Sequence, residues 1–287
     1  MFNRFAIDKT VTTGDLRFHY RDWGGRGWPV VLLHGLASTS HSWDLVAPLL
    51  VEHARVIALD LRGHGLSDKP DEGYDFETLS ADVFEIASQL MADRPVVVGH
   101  GWGANVGLWM AAHASDELGG LVMVDGGVID LEGLTWDEAQ ARLSLPDVDG
   151  TPLEAYRENL AQRSPQGLVT PAVEAATLAS FEVDLEGRIA RRLPGDAYTR
   201  ILRALWETRL EPLYEEVVCP VLILPCRRDG DEAADPFSRK KAEGVRHAVR
   251  LMPDVEVHWL EDTVHDAPLQ RPYGVAEAII RFIQERV

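Results

Sequence analysis

Four short segments concentrate the residues able to do chemistry. They are His34-Gly35-Leu36-Ala37-Ser38, Arg62-Gly63-His64-Gly65-Leu66-Ser67-Asp68, Val98-Gly99-His100-Gly101-Trp102-Gly103-Ala104-Asn105 and Thr263-Val264-His265-Asp266. The first three combine histidine with glycine, and the fourth sets histidine beside aspartate. Histidine changes charge near neutral pH, which suits it to proton transfer. The ten histidines are scattered without metal-ligand spacing, and two cysteines, Cys219 and Cys226, cannot build a disulfide framework or a four-cysteine zinc site. No metal or cofactor is expected.

Positioning these segments requires a sheet. Short apolar runs without period-2 alternation occur at Pro29 to His34, Val56 to Asp60, Pro95 to Gly99, Leu121 to Asp125, Val221 to Pro225 and Val255 to Leu260. Such runs suit strands covered on both faces, as in a parallel sheet. Helical patterns lie between them at Ser42 to Val51, Thr78 to Met91, Ala104 to Ala114, Phe237 to Leu251 and Gly274 to Arg286. Two alternating segments, Phe5 to Val11 and Leu16 to Asp22, predict an antiparallel hairpin at one sheet edge. Each of the four segments then falls at the end of a predicted strand, where open α/β sheets bind their ligands.

The strand–helix alternation stops between about Asp130 and Pro212. Amphipathic pieces separated by turn signals fill that stretch, with a possible ribbon around Phe181 to Leu193. This predicts a core made of residues 1–129 and 213–287 and a helical cap over residues 130–212, inserted after the sixth strand.

Composition narrows the class of function. There are 28 Lys and Arg against 46 Asp and Glu, a formal charge of −18. Affinity for nucleic acid comes mainly from basic groups neutralising phosphates, so this balance argues against a nucleic-acid or anionic-membrane partner. No stretch approaches the roughly 18 apolar residues of a membrane span. The expectation is a cytoplasmic protein with a small-molecule partner.

With these motifs in this order, the chain resembles the α/β-hydrolase superfamily over nearly its whole length. It is most similar to the branch with serine nucleophiles that includes many esterases, lactonases and carbon–carbon bond hydrolases. The resemblance implies a mostly parallel eight-stranded sheet with helices on both faces. It also implies that Gly99-His100-Gly101-Trp102-Gly103 is the nucleophile elbow, normally Gly-x-Ser-x-Gly, with Gly101 at the nucleophile position. His265 is then the general base. The usual acid position points to Asp229, although Cys226 stands nearby where the family often has glycine; Asp125 is the alternative location. The oxyanion hole falls to the backbone N–H groups of Leu36 and Trp102. His34 and Gly35 on the same loop, with Trp136 and Trp206 of the cap, are the expected substrate contacts. The cap carries Leu134, Trp136, Tyr156, Leu178, Phe181, Tyr198 and Trp206, which favours an apolar acyl substrate.

Glycine at position 101 leaves the elbow without its nucleophile. The favoured reading is a serine hydrolase of an ester, lactone or similar acyl compound whose serine has been exchanged for glycine, leaving this form inactive or strongly impaired. The alternative is a natural, non-catalytic ligand-binding protein on the same fold. An aspartate nucleophile, as in epoxide hydrolases and dehalogenases, is less favoured. Their Gly-His-Asp-Trp-Gly elbow would accommodate Trp102, but they usually carry proline where this chain has Ala37.

Overall fold

The computed structural model describes residues 5–90, 94–163, 169–228 and 235–287. Among them, eight strands form one sheet in the order β1-β2-β4-β3-β5-β6-β9-β10. These are β1 (Ile7–Thr13), β2 (Leu16–Gly25), β3 (Trp28–Leu33), β4 (Ala54–Leu59), β5 (Val96–His100), β6 (Gly120–Val124), β9 (Val221–Leu224) and β10 (Val255–Val257). The β1–β2 hairpin is antiparallel and leaves β1 at one edge; from β4 to β10 every pair is parallel. This is the fold class expected from the sequence.

The uninterrupted apolar runs explain the layering. Val31, Leu33, Ile57, Leu59 and Val97 belong to one buried cluster, while Val30, Leu32, Val56, Ala58, Val96 and Val98 belong to the other. Successive side chains of a strand point to opposite faces, so a strand with helices on both sides must be apolar at every position. On the first face lie α2 (Phe76–Leu90), α3 (Trp102–His113), α8 (Leu210–Glu216) and α9 (Pro236–Leu251). On the second lie the short α1 (Ala47–Leu50) and α11 (Pro272–Arg286), whose Val275, Ile279 and Phe282 are buried. Burial of each such side chain contributes about 1.5–3 kcal/mol.

Between β6 and β9 lie α4 (Trp136–Leu143), α5 (Leu153–Arg163), α6 (Pro171–Leu178) and α7 (Gly195–Glu207), followed by α8. They are joined by a two-stranded antiparallel ribbon of β7 (Phe181–Val183) and β8 (Ile189–Arg191). Thr135 and Glu138 form a reciprocal capping box that starts α4. Helix α8 runs across residue 212 and belongs with the core: the buried Tyr214 hydroxyl donates to the Gly127 carbonyl at 2.7 Å.

Two expected elements differ in detail. The helix expected over Ser42 to Val51 is a 3₁₀ turn, Ser40–Trp43, followed by the four-residue α1. Pro48, in the first turn of α1, cannot extend a helix arriving from upstream, because its ring clashes with the carbonyl four residues before it. The last strand stops at Val257, and Leu260 makes only an isolated bridge to Cys226.

Candidate active site

The turn from β5 into α3 is shaped by glycines that have no room for a side chain. A β-carbon on Gly99 would lie 2.3 Å from the Gly103 carbonyl oxygen, and one on Gly103 would lie 2.5 Å from that of His34. Between them Gly101 adopts φ 53° and ψ −117°. That left-handed backbone is strained for any residue carrying a β-carbon, at about 1–3 kcal/mol. Its N–H donates to the Val124 carbonyl at 2.9 Å. Gly126 packs so closely that a β-carbon there would be 2.0 Å from the Gly101 oxygen. The turn therefore keeps the geometry that presents residue 101 above the carboxyl ends of the strands.

His265 lies on the loop between β10 and α10 (Ala267–Gln270), facing Gly101. Its Nδ1 is 2.8 Å from Oδ2 of Asp125, the residue that follows β6. Asp229 lies outside the described residues, so the acid brought to His265 among the described residues is Asp125. Asp125 is buried and itself has a left-handed φ of 45°. Its Oδ1 accepts from the Cys226 N–H at 2.8 Å and from the Lys241 ammonium at 2.7 Å. Burial works against its ionisation, but the His265 bond and the Lys241 charge outweigh that and hold the carboxyl well below the usual range. Depth in the protein likewise disfavours a charged His265, and the bond to Asp125 outweighs it, so its pKa is raised. The His265 side chain is 59% exposed and lines the cavity, so water reaches the ring.

Gly35, Leu36 and Trp102 line the cavity in front of Gly101. Trp102 opens α3, where the first N–H groups have no partner within the helix. Loop neighbours hold this wall. The His34 Nδ1–H donates to the Gly35 carbonyl at 2.8 Å, and its Nε2 accepts from Leu61 N–H at 3.0 Å. His34 is fully buried and outside the cavity lining, and its bonds brace the loop. His64 accepts from Ala37 N–H at 3.2 Å and stacks on Trp102 at 5.1 Å. Burial and the neighbouring His34 push its pKa down to about 3, so it is neutral. Beneath both loops, buried Asp60 accepts from His19 Nδ1, Ser40 N–H and Leu66 N–H at 2.7, 2.7 and 2.9 Å.

The cavity has a volume of about 330 Å³. Ile129, Leu131, Leu143, Leu145 and Leu205 supply much of its apolar wall, with Arg142 lying over the Phe237 ring at 5.0 Å. Trp136 and Trp206 are not among the lining residues. They pack edge to face on each other at 5.9 Å, and Trp206 donates its indole N–H to the Leu134 carbonyl. The apolar side chains that reach the cavity are smaller ones from the same segments. Among the described residues there is no group of three or more potential metal ligands, and no helix is long and apolar enough to cross a membrane.

Sequence reading missed Gly126, Asp60 and Lys241. Lys241 carried one usable signal: it shares the stripe of α9 occupied by the buried Val245 and Ala248, where a lysine needs a buried partner.

A sheet of this order, a glycine-walled strand-to-helix turn, and a histidine held by an aspartate above it define an α/β hydrolase. A family model described as alpha/beta hydrolase fold matches residues 29–169. The chain is 27% identical over 278 residues to 2-(acetamidomethylene)succinate hydrolase of Mesorhizobium japonicum, covering 96% of this chain and 95% of that protein. The crystal structure of E-2-(acetamidomethylene)succinate hydrolase superposes with a TM-score of 0.80 at 26% identity, covering 97% of this chain and 99% of that one. A soluble epoxide hydrolase of Corynebacterium sp. is 42% identical over 109 residues, a match that spans 38% of each chain. The chain has the α/β-hydrolase fold.

Proposed function

We propose that this chain is an acyl-hydrolase scaffold of the serine type whose elbow carries Gly101, so that it binds an acyl substrate but cannot form an acyl-enzyme. One observation carries the reading. A β-carbon on residue 101 would lie 3.0 Å from His265 Nε2, on the side opposite the Nδ1 that meets Asp125. A hydroxymethyl group there would place its oxygen within reach of the base. His265 would take the hydroxyl proton at Nε2 while Asp125 holds Nδ1–H and offsets the imidazolium charge. The carbonyl oxygen, as it gains charge, would meet the N–H groups of Leu36 and Trp102, a term worth about 2.7–4 kcal/mol per donor. Residues 130–209, up to the start of α8, act as the cap that shapes the pocket.

The apolar wall favours a compact acyl group, with Arg142 the lining residue that could accept a carboxylate. The full-length likeness to a hydrolase named for an acetamido-substituted succinate supports an ester or amide over an epoxide. The test is Gly101→Ser assayed against activated esters and small acylamino acids. Hydrolysis with accumulation of an acyl adduct at residue 101 is expected. A folded serine variant inert towards the whole panel would remove the hydrolase reading and leave a binding protein.

A further inference from the structure

Lys241 is a buried charge that the proposed chemistry does not use. It lies on α9, is 9% exposed, and reaches the back of the candidate site. Its ammonium donates to Asp125 Oδ1 at 2.7 Å and to the Cys226 carbonyl at 3.0 Å. With the Cys226 N–H at 2.8 Å, both donors fall on Oδ1, and among the described residues Oδ2 meets His265 alone. That orientation depends on a side chain 116 residues further along the chain.

We propose that Lys241 is a positioning residue for His265: it fixes the Asp125 carboxylate and tempers the negative charge that the imidazole faces. Among the described residues, the charged and titratable groups around His265 are Asp125, the adjacent Asp266, His100 and Lys241. The His100 Nε2–H donates to the His265 carbonyl at 2.8 Å, and burial followed by the His265 charge pushes its pKa down to about 4, so it adds no charge at neutral pH. A buried aspartate with no cation behind it would hold His265 as imidazolium further up the pH scale, where Nε2 cannot accept a proton. The lysine opposes that, keeping Nε2 available nearer neutral pH. The inference rests on reading His265 and Asp125 as the base and its acid.

The experiment is a histidine NMR titration of the protein with Gly101 in place, so that no hydrolysis is needed and its result is separate from that of Gly101→Ser. Lys241→Met should raise the His265 midpoint by about one pH unit, the size expected on removing a nearby cation. Lys241→Arg keeps the charge and should leave the midpoint within a few tenths. A folded Lys241→Met protein with an unchanged or lowered midpoint overturns the proposal. If circular dichroism finds Lys241→Met unfolded, the unsubstituted protein decides: the Lys241 ammonium nitrogen resonance must shift with the His265 midpoint. A lysine resonance indifferent to that titration also overturns it.

Discussion

The Nε2 atom of His265 stands 3.0 Å from the point that a β-carbon on residue 101 would occupy, and Cε1 stands 3.1 Å from it. The imidazole thus rests against the bare elbow, closer than side chains ordinarily approach a β-carbon. A serine at position 101 therefore needs the ring to yield by a few tenths of an ångström. The ring can do so, because it is exposed to the cavity and, among the described residues, its one hydrogen bond is at Nδ1.

Gly101→Ser should raise turnover of its best acyl substrate by about 10⁶, the loss usually seen when such a nucleophile is removed. The same variant should melt lower. A β-carbon at φ 53° and ψ −117° costs about 1–3 kcal/mol, and each kcal/mol shifts a chain somewhat smaller than this one by about 2–4 °C. Differential scanning calorimetry of both proteins measures it; an unchanged or raised melting temperature would contradict the strain argument.

The His265–Asp125 pair makes stability and activity depend on pH in a defined sense. His265 has a raised folded pKa, so its contribution is complete below the unfolded value of about 6.5 and is lost as pH rises through the folded value. Asp125 has a depressed folded pKa, so its contribution is present above about 3.9 and is lost as pH falls through the folded value. Both are present between those limits. Asp125→Asn should destabilise the protein by about 3–5 kcal/mol, because Lys241 is left buried without its anion. The loss should be greatest near pH 5.5, read from urea unfolding at pH 5.5 and 8.5. In Gly101→Ser, kcat/KM should fall on the acid side with a midpoint above 6.5.

Gly103→Ala should cost about 3 kcal/mol, since its β-carbon would meet the His34 and Leu33 carbonyl oxygens at 2.5 and 2.6 Å. Gly195→Ala, at the start of α7 with nothing within 4 Å, should stay within about 0.5 kcal/mol of the parent. Equal effects in denaturant titrations would mean that the elbow is less tightly packed than its geometry requires.

Asp60→Ala should loosen the wall that carries Leu36. It orphans His19 Nδ1 and the N–H groups of Ser40 and Leu66, at about 1–3 kcal/mol for each buried group left unpaired. In the Gly101→Ser background, kcat should drop more than KM rises, because a displaced Leu36 N–H weakens the oxyanion contact alone. A drop in stability with kcat intact would confine Asp60 to a structural role.

Much of this molecule is written in local sequence. The apolar runs at Val30–Leu33 and Val96–Val98 mark strands buried on both faces, and that requirement is met residue by residue along the chain. Gly99, Gly101 and Gly103 mark the strand-to-helix turn, because close backbone approach and left-handed φ admit little else. Other features are not local. The stretch that carries Asp229 lies outside the described residues, and only the parallel pairing of β6 with β9, together with the loop after β10, brings Asp125 within 2.8 Å of His265, 140 residues away. His34, which local context places beside a substrate, is turned inward by bonds to Gly35 and Leu61. Trp136 and Trp206 find each other across α4 and α7 and leave the cavity wall to leucines. The helical stripe of α9 marks Lys241 as a buried lysine, but only the docking of α9 on the sheet supplies its partner, Asp125. Backbone conformation and strand burial follow from neighbours in the chain, so the sequence alone determined the sheet and the bare elbow. That Asp125 meets the histidine, that Lys241 meets Asp125 and which of the described side chains face the cavity depend on groups joined only by packing, and the tertiary structure decided them.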